Sequence, residues 1–157
     1  MNRLETVKRV VVHCSVSDFG DAKTIDAWHR ENGWDAIGYH FVILNGYRVA
    51  ARPYVLEHDG LVENGRDVKF QGAHAEGNNA DSIGICLIGN HLFSGRQLLD
   101  SLPRLLIQLI GRYNLKAQDI IFGHYELDPN KTCPNIPMAM VKKTVLWAMA
   151  NKILKGE

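Results

Sequence analysis

No apolar run in this chain approaches the roughly 18 residues that a membrane-spanning helix needs, and no block of like charge accumulates. Lysine and arginine together number 18 against 17 acidic residues, a formal net charge of +1. No global field therefore directs the protein to nucleic acid or to a membrane surface. Internal repeats, low-complexity tracts and Pro-, Gly- or Ser-rich linkers are absent, so nothing divides the chain. Its 157 residues predict one domain, 1–157, able to bury a single core. Cysteine is scarce: Cys14, Cys86 and Cys133 cannot all pair within one chain. The segment before Cys14 is charged and has no apolar stretch of signal-peptide length, which predicts a cytoplasmic protein with free thiols. Cys86, inside Ile83-Gly84-Ile85-Cys86-Leu87-Ile88, reads as a small buried hydrophobe. Strand alternation turns Cys14 away from its neighbour His13, so it too reads as core.

What is present is an alternation of strand-like and helix-like segments. Residues 9–14 and 82–88 are apolar, strand-like runs, and 119–123 make a last strand. Thr24 reads as the N-cap of a helix through Asn32, stopped by Gly33. Asn45-Gly46, between 38–44 and 47–52, reads as a tight hairpin turn joining two strands. Leu102, Leu105, Leu106, Leu109, Ile110 and Tyr113 recur at helical spacing, with Pro103 suited to the first turn. A closing helix spans 137 to about 154. The pattern predicts an α/β domain with a central mixed sheet flanked by helices.

Three residues at the ends of these segments have metal-ligand chemistry. His13 closes the Val10-Val11-Val12 run, His124 follows the Ile120–Gly123 run, and Cys133 lies nine residues on, beside Pro134. A lone histidine among valines is more often a satisfied core residue. Two histidines ending separate core strands, however, can converge at one sheet edge, and a loop cysteine is poor core material. Two imidazoles and a thiolate would hold zinc with a fourth position left for water.

The surrounding residues resemble a known family. Val11-Val12-His13-Cys14-Ser15, Gly38-Tyr39-His40-Phe41, Gly72-Ala73-His74-Ala75, Ser82-Ile83-Gly84-Ile85-Cys86-Leu87 and Gly123-His124-Tyr125-Glu126 through Lys131-Thr132-Cys133-Pro134 occur in its order. The resemblance is to zinc-dependent N-acetylmuramoyl-L-alanine amidases, the amidase-2 family that includes peptidoglycan recognition proteins, and above all to its small phage lysozymes. It covers roughly residues 9 to 147. It implies one Zn2+ per chain on His13, His124 and Cys133, catalytic roles for Tyr39 and Lys131, and a place for His74 in substrate binding. Without it, Lys131 reads as a solvated lysine and Tyr39 as an ordinary strand tyrosine. His40 is suited to supporting the zinc shell or, the preferred reading, to packing in the sheet, and His29, His58 and His91 read as solvated. Glu126 is suited either to orienting a ligand or to a surface salt bridge. The family commonly continues Cys-Pro with a small residue, an aromatic and an aspartate, whereas here Asn135-Ile136-Pro137 follow Pro134.

The resemblance implies an endolysin that cuts the amide bond between N-acetylmuramic acid and L-alanine in peptidoglycan. Such a protein is expected to be a monomer held in the host cytoplasm until its release to the cell wall. A module that binds peptidoglycan without catalysis is disfavoured by retention of Cys133, which silent members replace. An amidase that also inhibits a phage RNA polymerase is a further reading, to which no residue here can be matched.

Overall fold

The computed structural model describes residues 1–116 and 120–155, with side chains through residue 152. Its centre is a five-stranded sheet of β1 (Arg9–Cys14), β2 (Phe41–Asn45), β3 (Asp59–Asn64), β4 (Ser82–Leu87) and β5 (Ile121–Gly123), in the order β3-β2-β4-β1-β5. The β2–β4, β4–β1 and β1–β5 pairs are parallel, and only the edge pair β2–β3 is antiparallel. The helices are α1 (Ala22–Glu31), α2 (Leu102–Arg112), the short α3 (His124–Leu127) and α4 (Met138–Lys155). The fold is thus the mixed α/β sheet with flanking helices that the sequence pattern predicts. The strand expected over 119–123 is seen from Ile121, while residue 119 lies outside the described residues.

Side-chain alternation assigns the two faces. Val10 and Val12 of β1, Ile43 of β2, and Ile83, Ile85 and Leu87 of β4 point to a large cluster completed by α2 and α4. The opposite face carries Val42, Leu44, Cys86 and Ile88, covered by Ile25 and Trp28 of α1. Central strands buried on both faces are expected to be near-continuous apolar runs, as Val10-Val11-Val12 and Ile83–Ile88 are. Part of the second face, at His13 and Gly84, is covered by His74 and its loop. Gly84 makes the room: a Cβ there would lie 2.5 Å from His74 Cδ2.

Several local expectations are corrected. Asn45-Gly46 does turn the chain, with Gly46 at φ +90° and Asn45 Oδ1 accepting the Tyr47 N–H at 3.1 Å. Residues 47–52 do not return as a strand. The Tyr54 ring packs over Gly46, where a Cβ would meet it at 2.3 Å, and the Val55 N–H donates to the Gly46 carbonyl. The antiparallel partner of β2 is instead β3, a half-exposed edge strand with a polar pattern that hides it from periodicity. The α1 N-cap is Asp21 rather than Thr24: Asp21 Oδ1 accepts both the Thr24 N–H and the Thr24 hydroxyl at 2.8 Å. Upstream of Pro103 the helix continues as one wide π-turn, Gln97–Ser101. Such a bulge suits a position where proline removes a backbone donor.

Candidate metal centre and its groove

β1 and β5 are neighbouring parallel strands, so their carboxyl ends, where His13 and His124 sit, lie on the same side of the sheet. α3 begins at His124 and is fastened by Glu126, whose Oε2 accepts the Gly123 N–H at 2.8 Å. Glu126 Oε1 also pairs with Lys142 of α4 at 3.3 Å, the salt bridge considered for it, while its other bond goes to the backbone of Gly123. Beyond α3 the chain doubles back: the Tyr125 N–H donates to the Cys133 carbonyl, which brings Cys133 beside the first turn of α3. The Cys133 sulfur accepts the Cys14 N–H at 3.1 Å. The donor atoms of His13, His124 and Cys133 consequently lie within 4.8 Å of one another.

Hydrogen bonds fix the state of the buried imidazoles. The Ser82 hydroxyl donates to the Asn78 carbonyl at 2.6 Å, so its oxygen is free to accept from His74 Nε2 at 3.3 Å. His74 Nδ1 then accepts from His13 Nε2–H at 3.0 Å, which leaves His13 Nδ1 as the nitrogen with an unshared pair. Burial holds His13 well below the ordinary imidazole pKa, with the charges of His74 and His124 acting in the same direction. His74 is lowered to about 3 by burial first, and then by the charges of His40 and His124. Both rings are therefore neutral at physiological pH, the protonation state in which imidazole binds a metal. His124 is lowered by burial and then by the nearby Lys131 ammonium. The Cys14 and Cys133 sulfurs share a hydrogen bond that lowers the Cys14 thiol to about 7 and, together with burial, raises that of Cys133, so without a metal the thiolate of the pair is favoured on Cys14. Neutral imidazoles and a thiolate-capable sulfur at this spacing fit the donor set of a zinc site with an open position.

The cluster opens into a groove of about 400 Å³ lined by Trp34, His74, Glu76, His124, Asp128 and Lys131, among others. Lys131 is exposed on its wall. The Tyr39 ring lies 5.0 Å from that of His13, and burial raises its phenol well above the usual range, so it stays an O–H donor.

The remaining histidines divide clearly. His40 is buried with both nitrogens engaged, Nδ1 accepting the Gly84 N–H at 2.9 Å and Nε2 donating to the Phe70 carbonyl at 3.0 Å. It ties loop to sheet, as its packing assignment predicts. His74 is only 7% exposed, because Gly72 and Gly84 leave a ring-sized space between loop and sheet. His29 is not solvated: it is half-buried, its Nδ1 accepts the Gly38 N–H at 2.9 Å, and its ring packs on Trp34 and Tyr39. His58 is half-buried rather than solvated, and His91 is exposed as predicted. Cys14 is buried as expected but belongs to neither apolar cluster; it faces Cys133 and Asn135. Asn135 was missed, and its only sequence signal is the departure from the family pattern after Cys133.

Comparison with known proteins accounts for this arrangement. The endolysin of Escherichia phage T7 is 33% identical over 144 residues, covering 85% of this chain and 84% of that protein. Peptidoglycan-recognition protein SC1a/b of Drosophila simulans is 30% identical over 71% of this chain and 55% of its own length. Among solved structures, the N-acetylmuramoyl-L-alanine amidase LysC from Clostridium intestinale superposes with a TM-score of 0.74 at 28% identity. That match covers 89% of this chain and 85% of LysC. The family model described as N-acetylmuramoyl-L-alanine amidase matches residues 3–136, and the chain belongs to that family.

Proposed function

We propose that the chain is a zinc-dependent endolysin that hydrolyses the amide bond between N-acetylmuramic acid and L-alanine of peptidoglycan. The observation that carries this reading is the convergence of His13, His124 and Cys133 at one end of a groove that also exposes Lys131. Two imidazoles and one thiolate would hold one Zn2+ per chain. When bound, zinc supplies a Lewis acid that polarises the amide carbonyl and acidifies a water near neutral pH.

The chain's own residues perform the rest. His74 accepts a hydrogen bond from His13 Nε2–H and so fixes the tautomer and ring angle of a ligand, as outer hydrogen bonds commonly do. Its edge on the groove also lets it meet substrate. Lys131 presents a cation, and Tyr39 a protonated phenol, to negative charge that develops on the carbonyl oxygen. Glu126 orients His124 through the turn that it caps. No helix among the described residues is long and apolar enough to cross a membrane.

Metal analysis of wild type and Cys133→Ser tests the ligand set. Wild type is expected to hold about one zinc per chain and the variant to lose it, since hydroxyl is a far poorer zinc ligand than thiolate. Equal zinc in the two proteins would remove Cys133 from the site.

A further inference from the structure

Asn135 lies two residues past Cys133 and has a left-handed backbone, φ +60°, which asparagine tolerates better than most residues with a side chain. Its amide nitrogen has two protons and faces three acceptors. These are the Asn90 carbonyl at 2.9 Å, Asn90 Oδ1 at 3.1 Å and the Cys14 sulfur at 3.7 Å. Asn90 lies just beyond β4, and Cys14 ends β1. One side chain thus ties the loop carrying Lys131 and Cys133 to the carboxyl ends of two core strands. The Asn135 N–H closes the same loop on itself through the Thr132 carbonyl at 3.0 Å. The tie also converges on Cys14, whose N–H holds the Cys133 sulfur.

We propose that Asn135 is a positioning residue for Cys133, clamping the ligand loop against β1 and β4 so that the sulfur is in place before a cation arrives. The inference rests on the zinc reading above. Without the clamp, each binding event must first order the loop, so affinity falls although no ligand is lost. Outer hydrogen-bonding partners of metal ligands typically change metal affinity by about 10- to 100-fold.

Two variants separate the amide from the backbone. Asn135→Gly keeps the left-handed conformation and removes the clamp. Asn135→Asp keeps the shape and sets a carboxylate against the Asn90 carbonyl. Competition titrations of the full chain with Co2+ and with Zn2+ give affinity, and thiolate-to-cobalt absorption reports the sulfur bond. Thermal unfolding of the metal-free proteins reports the fold. The clamp predicts about 10- to 100-fold weaker binding by Asn135→Gly and at least as large a loss in Asn135→Asp. Metal-free Tm should change little in the glycine variant, and its cobalt spectrum should return to wild-type form at saturating Co2+. Wild-type affinity in Asn135→Gly would overturn the inference alone. A loss of affinity matched by a comparable loss of fold would also overturn it, since the role would then be general stability. A wild-type chain that binds neither metal would overturn the zinc reading and the inference together.

Discussion

Gly84→Ala adds one methyl group to a central strand at the point where the His74 ring lies flat against the backbone. The new Cβ would sit 2.5 Å from His74 Cδ2, 2.6 Å from Cγ and 2.8 Å from Nε2. The ring has no free retreat. His13 and Ser82 hold its two nitrogens, and its backbone N–H donates to Asn79 Oδ1 at 2.9 Å. Overpacking of this kind costs about 1–3 kcal/mol, and a displaced buried hydrogen bond about 1 kcal/mol more. Restricting the unfolded chain returns about 0.4–1 kcal/mol. The net is roughly 2 kcal/mol of destabilisation, or about 4–8 °C in Tm for a domain of this length. Gly111→Ala is the control. It lies in α2 with nothing within 4 Å of its added Cβ, so it should gain roughly 0.5–1 kcal/mol. The same chemical change is therefore expected to have opposite signs at the two sites, measured by thermal unfolding without metal. Activity should fall in Gly84→Ala and persist in Gly111→Ala. A Gly84→Ala protein with wild-type Tm and wild-type wall digestion would refute the account of how His74 is seated.

Lys131→Ala should retain zinc and fold yet lose about 100- to 1000-fold in turnover, the usual cost of removing one donor to a developing oxyanion. Steady-state kinetics showing unchanged kcat in the zinc-loaded variant would return Lys131 to the solvent. Asp21→Asn tests the Asp21–Arg48 ion pair, whose contact is 2.8 Å, while asparagine keeps a competent N-cap. Burial opposes the Asp21 charge, but hydrogen bonds from Thr24 and the Arg48 charge outweigh it and lower the carboxyl pKa. A lowered folded pKa stabilises the protein above the unfolded value, near 3.9, and that stability is lost as pH falls through the folded value. The Tm gap between wild type and Asp21→Asn should thus be full at pH 6 and close below about pH 4. A gap independent of pH would show that the pair is worth nothing.

Much of the site was legible because its residues end apolar strands, and strand ends are where a parallel sheet gathers side chains. His13 and His124 could be paired from Val10-Val11-Val12 and Ile120-Ile121-Phe122 alone. Cys133 could be added only as a loop cysteine that makes poor core material, with the family pattern supporting it, since its place depends on a chain reversal at α3 that no periodicity encodes. The burial of His74 was illegible for a related reason. The space for its ring comes from Gly72 and Gly84, neighbours across the fold rather than along the chain. His29 escaped because helix α1 carries it to the Gly38 N–H, a contact set by tertiary packing. The Asn45-Gly46 signal did mark a turn, but the packing of Tyr54 on Gly46 sets the path of the chain beyond it. Asp21 displaced Thr24 as N-cap because both are good caps and sequence alone does not rank neighbours three residues apart.

The most direct test of the account is digestion of purified peptidoglycan with the full chain, with and without a chelator, and identification of the products by mass and end-group analysis. New free L-alanine amino termini and no new reducing sugar ends are expected, with activity abolished by the chelator and restored by Zn2+. New reducing ends would identify a glycosidase acting on the sugar backbone. Release of L-alanine termini that survives complete metal removal would contradict the role assigned to His13, His124 and Cys133.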